Sequence, residues 1–227
     1  MASHSKEVAD PGYSNISVMP TTAEYRGFYR NVGKRVFDLA FVLLAAPFVV
    51  PLVLILAIFL ASQGVTPFYR QPRVGKNGKI FKMIKLRTMV HDAEAVLKEH
   101  LASNPEARDE WDRNQKLRDD PRIIKFGSFL RKSSMDELPQ FWNVFVGEMS
   151  TVGPRPMMVN QQRLYPEELY YSMRPGITGF WQVSKRNQSS FAERAHHDTE
   201  YWRNMSFGTD LSVLSRTVFV ILRCTGC

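Results

Sequence analysis

A chain of 227 residues is long enough for one domain with a real core, or a small domain with appendages, and too short for a large multidomain assembly. Thirty basic against 22 acidic residues leave a net charge of +8, which points to an anionic partner: nucleic acid, an acidic membrane surface or a phosphorylated small molecule. No GxxxxGK[ST] and no GxGxxG opens a helix, so the common nucleotide-binding loops are excluded.

Residues 1–24, MASHSKEVADPGYSNISVMPTTAE, are polar, with no sustained periodicity and no signal-peptide core. They are expected to form a disordered tail. From Leu39 to Ala61 there follow 23 residues without a charge, LAFVLLAAPFVVPLVLILAIFLA. As a straight helix they would measure roughly 34 Å, against about 30 Å of hydrocarbon. Length alone reads as a spanning helix. Pro47 and Pro51 argue otherwise, because each removes a helical hydrogen bond and clashes with the preceding turn. Positive charge also flanks both ends: Arg26, Arg30, Lys34 and Arg35 before, Arg70, Arg73, Lys76, Lys79, Lys82, Lys85 and Arg87 after. A helix that breaks near Pro47 and returns to the same face keeps both flanks on the cytoplasmic side, whereas a spanning helix keeps only one. The competing reading is a spanning helix with a proline kink. The hairpin is assigned to residues 25–64.

Thr66–Arg73 and Lys79–Thr88 carry aromatic and branched residues either side of Gly75-Lys76-Asn77-Gly78, which predicts a β-hairpin. Its basic residues are either a solvated face or a surface lying on anionic lipid. Val90, Ala93, Val96, Leu97 and Leu101 keep helical spacing, and Asn104-Pro105 ends that helix and starts a second running to about Lys116. His91 and His100 are nine apart, which is not a ligand spacing on one helix face.

The chain is organised around Arg131–Pro156, RKSSMDELPQFWNVFVGEMSTVGPRP. Two hydroxyl residues, two acids and Pro139 before an apolar run predict a helix starting near Asp136, with Asp136 at its positive end. Ser133 with Asp136, and Ser134 with Glu137, fit the spacing of a capping box, and on that reading the acids are only caps. The other reading rests on their company: Arg131 precedes them and Gly153-Pro154-Arg155-Pro156 closes the segment, so cations and acids meet at one helix start. Phosphate chemistry needs that combination.

In RPGITGFWQV (Arg174–Val183) two glycines permit close backbone approach. Trp181 there is either a face for a base or sugar, or a buried indole beside a turn. His196-His197 do not share a helix face. Leu211, Leu214, Val218, Phe219, Ile221 and Leu222 form an amphipathic segment that lies in the membrane interface or in a core. Cys224 and Cys227 stand as CTGC, a spacing that suits a metal or redox pair; with no second pair beside it, the expectation is two reduced thiols in a frayed tail.

Four ordered pieces of this sequence resemble the bacterial sugar transferases, the monotopic phosphoglycosyl transferases: the apolar stretch from Val36, RVGKNGKIFKMIKLRTM (Arg73–Met89), the Arg131–Pro156 segment and RPGITGFWQV. Ala46 departs from the Ser that precedes the breaking proline in many relatives. The resemblance implies an α+β, mainly helical, monotopic membrane protein. Its parts would be a re-entrant helix broken near Pro47, a small cytosolic catalytic domain over 65–210, and an interfacial amphipathic helix and tail over 211–227. It implies transfer of a sugar 1-phosphate from a UDP-sugar to polyprenyl (undecaprenyl) phosphate, through an aspartyl phosphosugar, with release of UMP. That is the first membrane step of exopolysaccharide synthesis, on the cytoplasmic face of the bacterial inner membrane, with galactose or glucose as the expected sugar. Asp136 is then the nucleophile and the Mg²⁺ ligand, since Mg²⁺ prefers carboxylates and substrate phosphates. Glu137 is an acid/base or supporting group. Arg131, Arg155, Pro154 and Pro156 are assigned to phosphate and nucleotide, and Lys85 and Arg87 join them because the matching segment lies beside the active site. Anionic lipids are expected partners, a homodimer is admitted, and nucleic acid is not expected, because the charge clusters beside an apolar hairpin and not on a reading helix. A non-enzymatic adaptor for acidic lipids is the alternative, and it has no use for Asp136.

Overall fold

Apolar residues on every side of one helix, and on one side only of most other elements, decide the layout. The computed structural model describes residues 27–114, 117–165, 168–184 and 191–222. The expected tail, Arg26 and the two cysteines lie outside them. After a π-helical turn over Tyr29–Gly33, helix α1 runs from Lys34 to Ser62. Its flanks bear exposed Leu43, Leu44, Phe48, Val50, Leu54, Ile55 and Ile58, with Leu44 77% and Phe48 79% exposed. The break expected near Pro47 is not present as a break: the backbone stays helical through Pro47 and Pro51. A proline deletes only one N–H bond, and in apolar surroundings the bonds on either side are too costly to give up.

The predicted hairpin forms. Strands β1 (Phe68–Val74) and β2 (Ile80–Leu86) pair antiparallel, from Phe68 opposite Leu86 to Val74 opposite Ile80. Asn77 (φ 57°) and Gly78 (φ 73°) supply the left-handed turn, as an Asn-Gly pair does. The predicted helices follow as α2 (Ala93–Ser103) and α3 (Pro105–Asn114), with the Asn104 side chain accepting the Ala107 N–H at 3.0 Å. Helix α4 (Gly127–Lys132) and helix α5 (Gln140–Val146) bracket the turn that carries Asp136. Short strands β3 (Ser150–Val152) and β4 (Gly176–Thr178) pair in parallel. Gly176 and Gly179 allow the expected close approach: a Cβ on either would strike the backbone of Gly153. Helices α6 (Phe180–Val183), α7 (Phe191–Asn204) and α8 (Phe207–Leu222) complete the fold. The boundary expected at 211 therefore falls inside α8, whose Asp210 and Val213 are buried in the body.

Both ends of α1 are held by the same body. Near its start, Asp38 is 1% exposed and accepts from Lys34, the Ser150 hydroxyl, and the Thr151 N–H (2.9 Å) and hydroxyl (2.6 Å). Lys34 also pairs with Asp210 at 2.9 Å, and Asp210 accepts from Tyr29 and Tyr201. Arg35 donates to the carbonyls of Val144 and Phe145 at the end of α5. At the far end, Leu56, Ala57 and Leu60 pack with Leu86 and Leu130, and Met135 lies against that cluster. Phe59 meets Phe126 edge-on at 4.7 Å. The middle of the helix carries most of the exposed apolar surface.

Candidate active site

Regular helix does not begin at Asp136. Ser134 is left-handed (φ 57°), Met135–Glu137 form a single 3₁₀ turn, and α5 begins only at Gln140 after Pro139. Neither capping box forms. The Ser133 hydroxyl donates backwards to Phe129 O at 2.8 Å, closing α4 instead of opening a new helix. A hydroxyl one turn past a helix can satisfy orphan carbonyls as readily as it caps the next element. Asp136 is thus lifted out of the helix-start geometry the sequence suggests and turned toward strand β2.

That approach is fixed by Asn143, 1% exposed. Its amide oxygen accepts Ile84 N–H and its amide nitrogen donates to Lys82 O, both at 3.0 Å, so the side chain pairs with β2 as a third strand would. Lys85 then reaches both acids, with Nζ 2.6 Å from Glu137 Oε1 and 3.9 Å from Asp136 Oδ2. Arg131 also acts on Asp136 electrostatically and is held by Nε donating to the buried Thr88 hydroxyl at 2.9 Å. Asp136 is 8% exposed. Burial is the largest influence on its carboxyl and pushes it up to about 6. Lys85 lowers it, Glu137 raises it, Arg131 lowers it, and a backbone hydrogen bond lowers it least. The ionisation expected from a helix dipole is therefore corrected: side-chain cations hold the carboxylate charged, against burial and a neighbouring acid.

Lys85 and Glu137 line a cleft with Arg73, Gln140, Arg155 and Pro156. Among the assigned residues, Asp136, Glu137, Lys85 and Arg131 are thus brought together, and Arg155 and Pro156 share the cleft. Pro154 is not in its lining; its carbonyl accepts Gly176 N–H at 2.8 Å and braces β4. Arg87 is not brought in either. Strand β2 ends at Leu86, and the Arg87 guanidinium donates to Thr66 O and lies over Tyr69. Trp181 combines its two readings: half-buried beside the Gly179 turn, it carries Arg155 at 5.5 Å and Arg194 at 5.9 Å from its ring.

Two residues of the cleft region escape sequence reasoning. Arg73 is buried, donates to Pro156 O at 3.0 Å, and has no hydrogen-bond partner for its Nε among the described residues. Burial first, then Arg155, lowers its guanidinium to about 10. Arg194 donates to the carbonyl of Arg155. Arg73 is visible in the sequence only as one of many flanking cations; the signal that separates it is its place in the strand one residue before buried Val74. Nothing local marks Arg194, which comes from α7, far along the chain. Together Arg73, Arg155 and Arg194 put cationic groups around the Pro-Arg-Pro turn, a setting for phosphate oxygens.

Among the described residues no group of three or more His, Cys, Asp or Glu could hold a metal by itself. Two adjacent carboxylates suit Mg²⁺, which takes one or two carboxylates and completes its shell with water and substrate phosphate.

The bacterial sugar transferase family matches residues 29–224. The chain belongs to that family. Among similar proteins is the UDP-galactose-lipid carrier transferase of Erwinia amylovora, 43% identical over 195 residues, covering 85% of this chain and 41% of that protein. The undecaprenyl-phosphate galactose phosphotransferase of Salmonella typhimurium is 42% identical over 195 residues, again 85% of this chain and 41% of that protein. The exopolysaccharide production protein ExoY of Sinorhizobium fredii is 44% identical over 191 residues, 83% of this chain and 84% of that protein. This sugar transferase chain therefore spans about two-fifths of the first two relatives and most of the third.

Proposed function

We propose that this sugar transferase moves a sugar 1-phosphate from a UDP-sugar to polyprenyl phosphate in two displacements at Asp136, at the cytoplasmic face of the bacterial inner membrane. In the first, a carboxylate oxygen of Asp136 bonds to the sugar-bearing phosphorus and the P–O bond to the α-phosphate breaks, so that UMP leaves with the electron pair. In the second, a phosphate oxygen of the polyprenyl phosphate bonds to the same phosphorus. The bond to Asp136 breaks, which restores the carboxylate and leaves a sugar diphosphate on the lipid. No net proton is needed in either step.

The observation that carries this reading is a buried carboxylate kept ionised by Lys85 and Arg131 at the edge of a cationic cleft. An ionised carboxylate free of its own hydration is a competent nucleophile. Lys85 holds Glu137 and keeps both acids from repelling the incoming phosphates. Arg73 and Arg155 are placed to take the phosphate oxygens, and Trp181 offers its ring toward the nucleotide end. Asp136, with Glu137, would hold Mg²⁺, which neutralises phosphate charge when bound. Helix α1 enters and leaves the bilayer on one face, because both its ends are tied to the one body while its middle is bare and apolar. Exposed Trp142 and Phe145 on α5 lie at the same interface, where aromatic rings are favoured.

Galactose is the first sugar to test, since two of the relatives are named for it. Detergent-solubilised protein with polyprenyl phosphate should release UMP from one member of a UDP-sugar panel. Asp136→Asn should lower that release by at least about 10³-fold, the scale of losing a nucleophile, while membrane association is unchanged. Turnover that survives in Asp136→Asn would overturn the covalent route, whereas no UMP release from any UDP-sugar, with acidic-lipid binding unchanged by Asp136→Asn, would leave the adaptor as the better account.

A further inference from the structure

A second cavity lies away from Asp136. About 320 Å³ in volume, it opens between the turn leading into α1, the tip of the β1–β2 hairpin and the start of β4. Arg30, Asn31, Lys34, Lys76, Asn77 and Arg174 contribute to its walls, and it shares no residue with the cleft beside Glu137.

Among the described residues its lining holds more cations than acids. Asp38 is the one carboxylate in the lining among the described residues, and it is consumed by Lys34, Ser150 and Thr151. Lys34 is further matched by Asp210. Arg174 donates through Nε to Gly147 O at 2.8 Å, a neutral partner, and no ion pair involves Lys76 or Arg174 among the described residues. Instead the two cations act on each other: Lys76 is lowered first by burial and next by Arg174. Cations that line one cavity, whose only carboxylate among the described residues is already engaged, are stabilised by an anion that enters it. Arg30, laid over the Trp202 ring at 4.0 Å, adds a third cation to the wall.

The position of the cavity narrows the class of anion. Arg30, Asn31 and Lys34 belong to the turn and first residues of the apolar helix, and the same stretch exposes Phe28, Val32 and Val36. Those side chains belong at the depth of the headgroups, where phosphate is the prevalent anion. We propose that this cavity is a second phosphate-binding site, built from Lys76, Arg174 and Arg30, that takes the phosphate of an anionic phospholipid headgroup or free phosphate and so holds the hairpin tip against the membrane helix. The proposal rests on the membrane placement given above but not on chemistry at Asp136.

Lys76 is the cleanest probe, since its side chain makes no hydrogen bond or ion pair among the described residues and, although the cavity wall crowds it on one side, it keeps contact with solvent. The full chain in detergent, carrying Asp136→Asn so that turnover cannot interfere, is titrated with phosphatidylglycerol, phosphatidylcholine or inorganic phosphate. Native mass spectrometry follows the lipids and thermal shift follows phosphate. Saturable phosphatidylglycerol binding that Lys76→Glu weakens by about tenfold or more, and Lys76→Gln by less, supports the site with lipid as the source. Stabilisation by inorganic phosphate alone, lost in Lys76→Glu, supports it with free phosphate as the source. Binding of both ligands that is indifferent to Lys76→Glu and to Arg174→Gln, or equal retention of phosphatidylglycerol and phosphatidylcholine, overturns it.

Discussion

In the proposed reaction Asp136 has to be charged to attack phosphorus, yet burial favours the neutral acid. Burial carries the carboxyl to about 6, so on that proposal activity should be lost as pH falls through that value. Lys85, the largest influence in the opposite direction, therefore sets where the acid limb lies. Removing that ammonium raises the carboxyl further. Lys85→Met should move the acid limb of kcat/KM for the UDP-sugar to higher pH, as well as lowering the plateau; an acid limb that stays in place would mean that another group titrates. The sequence showed Asp136, Glu137, Arg131 and Lys85 as the residues of interest, and the fold collects all four. It did not show how. The two serines and Pro139 satisfy the spacing of a helix start, but local spacing cannot tell whether Ser133 caps forward or closes α4 backward, since both offer the hydroxyl a partner. Arg87 shows the same limit: two residues beyond Lys85, it belongs to the cleft only if β2 continues, and β2 stops at Leu86.

At the scale of elements, α1 depends on a buried polar lock. Asp38 and Asp210 are 1% and 0% exposed, with Lys34 between them, and the lock ties α1 to β3, α7 and α8. Removing one member of a buried, hydrogen-bonded charge network leaves partners uncompensated and costs about 3–5 kcal/mol. Asp38→Ala should therefore destabilise the protein by about that much, seen as a lowered melting temperature in detergent. A loss under about 1 kcal/mol would show that water reaches the lock, because exposed pairs are worth no more than that. The hairpin, α2 and α3 were legible in advance because periodicity and an Asn-Gly turn are local signals. The lock was not. Asp38 and Ser150 are 112 positions apart, and in sequence Asp38 is only an acid before an apolar run.

For the whole molecule, the issue is which side of the bilayer each end of α1 occupies. Composition showed basic flanks at both ends, and the structure joins both ends to one body, although the helix runs unbroken through Pro47 and Pro51. Single cysteines at Val32 and Gln63, in a chain with Cys224 and Cys227 replaced by Ser, should both be labelled from the cytoplasmic side of inverted vesicles and neither from the periplasmic side. Opposite labelling would make α1 a spanning helix. Labelling on one face would support the proposed placement, in which α1 and the exposed Trp142 and Phe145 hold the Asp136 cleft at lipid height.

The most direct measurement of the chemistry is the mass of the intact protein, acid-quenched after mixing with UDP-galactose and Mg²⁺ in the absence of lipid acceptor. A covalent route predicts one added hexose phosphate on the peptide holding Asp136, formed together with UMP, absent in Asp136→Asn and discharged when polyprenyl phosphate is added. Protein that gains no mass, yet releases UMP and forms product as soon as the acceptor is supplied, would show direct transfer between substrates and contradict a nucleophilic Asp136.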